Sequence, residues 1–314
     1  MHTILSMSTA TATLRAPLPA LTAPLIAACL SATWLVWGST YLTIKWALVS
    51  FPPFFQMGTR FVAAGLLLGA FAAWRGARWP SRDEWRSAVA LGVLMLGGGY
   101  GGVAYAQQSV GSGLVVAFIA VVPALVAALQ WPYGVRPGRL EAAGIGLGLL
   151  GVALLSAGQG FGASPAGLLA MALGCLAWAA GSVWALHGLP GGRRLGLAPG
   201  TAGYASQMLA GGVVLMAMSW AAGEAPAWPP EPRALASWAY LVVAGSLLGF
   251  SAYMLLLERA GAALASSYTF VNPVIGLALG VTLGGEAVSA GEWAAAGVVL
   301  AGVVVLLAAQ ARRR

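Results

Sequence analysis

Apolar residues run along this chain in blocks of about twenty, separated by short clusters of arginine, proline and small polar residues. Wound as an α-helix, such a block matches the roughly 30 Å hydrocarbon core of a bilayer. Cutting the chain at its charged and proline-rich punctuation predicts ten membrane-crossing helices. They fall at 25–49, 54–74, 86–107, 111–131, 140–158, 165–187, 201–222, 234–257, 263–283 and 293–310. The fold class this predicts is an all-α membrane protein.

One stretch of the pattern occurs twice. GSGLVVAFIAVVPALVAAL, from Gly111 to Leu129, recurs without a gap as GAALASSYTFVNPVIGLAL, from Gly261 to Leu279. Gly111, Leu114, Val121 and Pro123 stand opposite Gly261, Leu264, Val271 and Pro273. The likeness continues from Glu141 and from Glu292 after one inserted residue. The chain therefore divides into a tail (1–22), a first five-helix repeat (23–160) and a second (163–311). Because five is odd, the second copy must enter the membrane upside down relative to the first, and duplicated membrane units of this kind are most often transporters.

Charge tests that cut, since cytoplasmic loops hold an excess of Lys and Arg. Thirteen of the sixteen such residues lie in segments that are cytoplasmic if the N-terminus is inside: Arg15, Arg75, Arg78, Arg82, Arg86, Arg136, Arg139, Arg193, Arg194, Arg259, Arg312, Arg313 and Arg314. Only Lys45, Arg60 and Arg233 fall elsewhere. Both termini are thus expected in the cytoplasm, and the net charge of +8 is a topology signal. With the arginines dispersed over loops, no basic face is left to dock nucleic acid. Composition agrees about the solvent: 60% hydrophobic and 8% charged residues describe a chain in lipid, where soluble domains carry about 25% charged residues.

Local signals mark several helix starts. Ser81 with Glu84 and Ser289 with Glu292 have the spacing of a capping box, and Ser164-Pro165 reads as a cap followed by proline at the first helical position. For Asp83, Glu84 and Glu292 this favours capping and helix-dipole roles over catalysis. The tail to Thr22 lacks the basic start and short apolar core of a cleaved signal, so the first span is expected to be retained, with Met1 and Met7 both open as the start. Cys29 and Cys175 lie within apolar blocks and read as packing groups.

Enzyme chemistry finds little to use. The histidines are His2 in the tail and His187 at a span end, and the sole aspartate is Asp83 in a loop, so neither a Ser–His pair nor a convergent metal-ligand set can be assembled at membrane depth. No catalytic residue, metal or cofactor is expected. The glycine run Gly97–Gly99, Gly101–Gly102 lacks the Lys-Ser/Thr of a phosphate loop; close packing and local unwinding both remain open for it. Gly144 with Gly148, and Gly276 with Gly280, have the spacing of close helix contacts.

What remains is aromatic and neutral polar. Trp74, Trp79, Trp85, Trp131, Trp220, Trp228 and Trp238 lie near span ends and fit an interfacial belt. Trp37 and Trp178 lie mid-span, each in the first helix of its own repeat. The ninth span carries Ser266, Ser267, Tyr268, Thr269 and Asn272 just before Pro273; either these make interhelical hydrogen bonds or they form a cavity wall, with the prolines freeing backbone carbonyls. Trp37, Tyr41, Tyr100, Trp178, Tyr268 and Asn272 are the candidate substrate-binding residues, and Pro123 and Pro273 the candidate hinges bordering the cavity. Lys45 and Arg60, in the outer halves of the first two spans, either snorkel to the headgroups or form a cationic rim for anionic groups. The partners expected are a small organic solute and the bilayer; a monomer satisfies this reading, and oligomeric state is not legible.

Leu35–Lys45 (LVWGSTYLTIK), followed by Pro52-Pro53 and Arg60–Leu68 (RFVAAGLLL), together with SYTFVNPVIGLALG at 267–280 and GGEAVSAGEW at 284–293, resembles an EamA-type protein of the drug/metabolite transporter superfamily. The resemblance covers residues 25–310. It implies ten helices in two inverted five-helix repeats, a central cavity, and export of amino acids, metabolites or drug-like compounds across the bacterial inner membrane. One departure matters: the four-helix small multidrug exporters rely on a glutamate in their first helix, whereas this first span has no acidic residue, which argues against carboxylate-gated exchange of cations for protons. Neutral or zwitterionic solutes are expected, moved by alternating access. The competing reading is a non-transporting membrane protein, such as a scaffold or lipid-modifying enzyme.

Overall fold

The computed structural model describes residues 22–110, 115, 118–156, 164–192, 194–284 and 289–312. Among them every regular element is a helix. We number these α1 (23–47), α2 (Pro53–Trp74), α3 (Arg82–Ala106), α4 (Val122–Leu129), α5 (Arg139–Ser156), α6 (Pro165–His187), α7 (Thr201–Ala221), α8 (Pro232–Ala260), α9 (Tyr268–Gly284, preceded by the single turn Ala262–Ala265) and α10 (Ala290–Ala311). Six of the described helices, namely α2, α3, α6, α8, α10 and Ala23–Thr40 within α1, are long and apolar enough to cross a membrane. Of the matched segment at 111–129, residues 111–114, 116 and 117 lie outside the described residues, as do the first tail and the segments around 157–163 and 285–288.

The helix starts read from sequence form as expected. Ser81 Oγ accepts from Glu84 N at 3.3 Å while Ser81 N donates to Glu84 Oε2 at 2.8 Å, and Ser289 with Glu292 repeats the pair at 3.2 and 2.8 Å. Ser164 Oγ accepts from Gly167 N at 3.0 Å, opening α6 at Pro165. The two prolines differ. Pro123 sits in the first turn of α4, where its missing N–H leaves no bond unmade, whereas Pro273 lies inside α9.

Lipid tails are as apolar as leucine, so helices in a bilayer associate through close packing rather than through the hydrophobic effect. Glycine supplies the closeness here. A Cβ on Gly302 of α10 would stand 2.7 Å from Gly148 N and 2.9 Å from Gly144 O of α5, and one on Gly212 of α7 would stand 2.8 Å from Val62 N of α2. The close contact expected at Gly144 and Gly148 is therefore present. Gly276 is different: it is exposed, with nothing within 4 Å of a Cβ position. The expected close contact is therefore absent at Gly276, and the surroundings of Gly280 lie outside the described residues.

The packing is reciprocal between the two halves of the sequence. Equivalent helices pair with each other, α2 with α7 and α5 with α10. The first helix of each half also packs on the third helix of the other: the Trp37 indole fills the notch left by Gly249 of α8, and a Cβ on Gly99 of α3 would stand 3.2 Å from the Trp178 ring. Gly99 and Gly249 are separated by the same interval as Gly111 and Gly261, so the repeat visible around the prolines extends back through α3 and α8. Both of those helices widen to π-helical winding in mid-course, at Val93–Tyr100 and Leu241–Phe250. Such winding is rare and concentrates at functional sites.

Of the tryptophans near span ends, Trp74, Trp79, Trp131, Trp220 and Trp228 are exposed, whereas Trp85 and Trp238 are partly buried, Trp238 Nε1 donating to Thr59 Oγ1 at 3.0 Å. One polar tie crosses between the halves at the arginine-poor end. Glu224, just beyond α7, accepts from Phe54 N at 3.1 Å and Phe55 N at 2.7 Å at the start of α2, and Ser50 accepts from Ala227 N and Glu231 N nearby. A carboxylate on orphan N–H groups at a helix N-terminus is charge-assisted. Glu224→Ala is expected to cost about 1–2 kcal/mol, seen as a lower unfolding temperature in detergent; an unchanged temperature would show that the tie contributes nothing.

Candidate functional site

The cavity between the two halves is built from helices that the repeat relates. α1 contributes Trp37, Thr40 and Ile44, α2 Met57, and α3 Gly99, Tyr100 and Val103; Ile119 and Val122 come from the fourth segment, Cys175 and Trp178 from α6, and Tyr268 and Asn272 from α9. Its volume is about 80 Å³, several times what one water requires. Ile44, Met57, Val103 and Gln107 lie at the ends of their helices on the arginine-poor side, so the cavity points that way.

Its floor is aromatic. The Trp37 ring lies 4.5 Å from Tyr268, 5.6 Å from Tyr253 and 6.0 Å from Trp178, and Tyr253 closes the ring of contacts at 5.0 Å from Trp178 and 5.8 Å from Tyr268. The pairs Trp37–Trp178, Trp37–Tyr268 and Tyr253–Tyr268 meet edge to face, an arrangement favourable by about 0.5–1.5 kcal/mol each. Two bonds hold the layer in place: Trp37 Nε1 donates to Gly245 O at 2.9 Å, and the hydroxyls of Tyr253 and Ser182 are 2.7 Å apart. Beyond the floor, on the arginine-rich side, lies a second and more polar hollow of about 270 Å³ among Gln130, Glu141, His187, Glu258, Arg259 and Gln310.

Of the residues singled out in the sequence, Trp37, Tyr100, Trp178, Tyr268 and Asn272 all line the one cavity. Tyr41 and Lys45 belong to α1, but their side chains lie outside the described residues. Pro123 and Pro273 do not themselves line the cavity; their neighbours Val122 and Asn272 do, so both proline-bearing segments border it. The polar cluster before Pro273 divides. Ser266 and Thr269 donate to carbonyls of their own segment at 2.7 and 2.9 Å, Ser267 accepts from Trp34 Nε1 at 3.1 Å, and Tyr268 and Asn272 face the cavity. Asn272 Oδ1 is buried without a protein partner, an acceptor left for solute or water.

Arg60 corrects its expected place at a cationic rim. It neither snorkels nor reaches a rim: it is 1% exposed, its Nε donates to Ser246 Oγ at 3.1 Å, and its guanidinium lies over the Phe61 and Tyr100 rings at 4.8 and 5.2 Å. The α2 face bearing Arg60 turns to α8 rather than to lipid, so the side chain follows a polar partner and two π faces inward. Tyr253, Phe250 and Phe61 were not singled out by sequence reasoning, although Phe250 stands one repeat interval after Tyr100. The glycine run of α3 gives the expected close approach, a Cβ on Gly102 lying 2.6 Å from Ala170 O of α6, and in place of unwinding Gly97–Gly99 lie within the π-wound stretch.

Residues 24–157 and 165–308 each match the EamA-like transporter family. Over 278 residues the chain is 38% identical to the "Uncharacterized inner membrane transporter YedA" of Escherichia coli K12, covering 88% of this chain and 89% of that protein, and the YedA proteins of E. coli O6:H1 and O157:H7 match equally. A solved crystal structure with 22% identity superposes with a TM-score of 0.75, covering 94% of this chain and all of that one, and so shares its fold.

Proposed function

Because the chain belongs to the EamA-like transporter family, we propose that it is an inner-membrane exporter moving small neutral or zwitterionic organic solutes by alternating access. Ten helices cross the membrane as two inverted five-helix repeats, with both termini in the cytoplasm. The observation that carries this reading is the cavity shared by the two halves, lined by π faces, hydroxyls and amides, and floored on its arginine-rich side by Trp37, Trp178 and Tyr268 with Tyr253 packed behind them. By the positive-inside rule that side is cytoplasmic, which makes this an outward-directed state. Rocking of the halves about the aromatic layer would open the polar hollow beyond it, and the reciprocal packing supports such a motion because each half presents the same surface to the other.

Aromatic faces contribute only about 0.5–2 kcal/mol to a bound cation, and no described carboxylate lines the cavity, so permanent cations are poor substrates. The test is flux in liposomes made with purified protein. Efficient exchange of quaternary ammonium dyes for protons, with amino acids and other neutral metabolites inert, would overturn this selectivity. For the topology, cysteines introduced at Ser81 and Ser289 should react with an impermeant thiol reagent from opposite sides of the membrane, Ser289→Cys from outside intact cells. Equal labelling of both from outside would end it.

A further inference from the structure

Arg60 keeps a positive charge that the protein does not neutralise. Among the described residues no carboxylate lies within ion-pair distance of it, and it is the charged side chain buried in the core. A guanidinium cannot shed its proton as a buried lysine can. Its partners are the hydroxyls of Ser246 and Tyr100 and two ring faces, and Nη1 has none. These recover part of the lost hydration but leave the site short of an anion, which is what makes a buried charge costly.

The cavity is one side chain away. Tyr100 both lies beneath the guanidinium and lines the cavity. Thr40, another lining residue, and Arg60 Nη2 flank the same backbone position, Gly245 of α8. Displacement of the Tyr100 ring from between Arg60 and the cavity would join the guanidinium to the space where a solute sits. We propose that Arg60 is the anion-recognition residue for the transported solute, pairing with its carboxylate once Tyr100 turns aside. A planar fork of N–H donors matches a carboxylate with two parallel bonds, and the aromatic floor is left to hold the apolar or ammonium end.

This inference rests on the exporter reading and narrows it, from neutral or zwitterionic solutes to those that bear a carboxylate. The experiment compares acids with their uncharged amides in wild-type liposomes: N-acetylleucine against N-acetylleucinamide, and 3-phenylpropionate against its amide. The acid of each pair is expected to be transported with an apparent affinity at least about tenfold higher, a difference of about 1.4 kcal/mol. Arg60→Gln should erase that preference and Arg60→Lys should keep part of it. Equal handling of acid and amide by the wild-type protein, with flux present, overturns the Arg60 assignment and leaves the exporter reading standing. Absence of flux for all four probes counts against both. Should Arg60→Gln fail to fold, Arg60→Lys carries the assignment, and equal handling of acid and amide by the wild-type protein still overturns it.

Discussion

Trp37→Ala is expected to replace gated solute transport with passive leak and to lower stability by about 3–5 kcal/mol, the range for removing a large buried aromatic side chain. The indole is 4% exposed, touches three other rings and fills the notch at Gly249. Its loss also removes the indole donor from Gly245 O, about 0.5–1.5 kcal/mol for one hydrogen bond. More important for function, the cavity floor would open and the two sides of the membrane would communicate through the vacated space. Trp37→Phe separates the effects: the layer is largely retained and the hydrogen bond is not, so part of the gated transport should survive. Liposome flux together with thermal unfolding checks both. Normal coupled flux by a well-folded Trp37→Ala protein would refute the assignment of the layer as a gate.

Gly302→Leu should prevent assembly of the bundle. The atoms that would meet its Cβ are backbone atoms of α5, Gly148 N and Gly144 O, which cannot move aside as the end of a side chain can. Overpacking costs about 1–3 kcal/mol where side chains yield and more where they do not, and the α5–α10 seam depends on close packing because lipid offers no hydrophobic drive. Gly276→Leu is the matched control. With open space at its Cβ, it should change stability by less than about 0.5 kcal/mol. Yield and monodispersity in detergent report both outcomes, and a well-behaved Gly302→Leu protein would show that this seam is looser than its geometry implies.

The sequence by itself determined the solvent, the repeat and most of the helix ends. Blocks of about twenty apolar residues leave no other solvent than lipid; Ser81, Ser164 and Ser289 fix helix starts because a cap is a local interaction within four residues; and the mid-span Trp37 and Trp178 stand out because tryptophan otherwise keeps to the interface. Only the tertiary structure decided which faces meet. Arg60 shows why: nothing nearby in sequence records that Ser246, 186 residues away, stands ready to receive it, so a cation expected at the rim turns inward. Tyr253 was invisible for the same reason, since an aromatic residue in an apolar block reads alike whether it faces lipid, a core or a gate. The difference between Gly302 and Gly276 is likewise long-range, because glycine spacing permits a close approach but a second helix must arrive to make one.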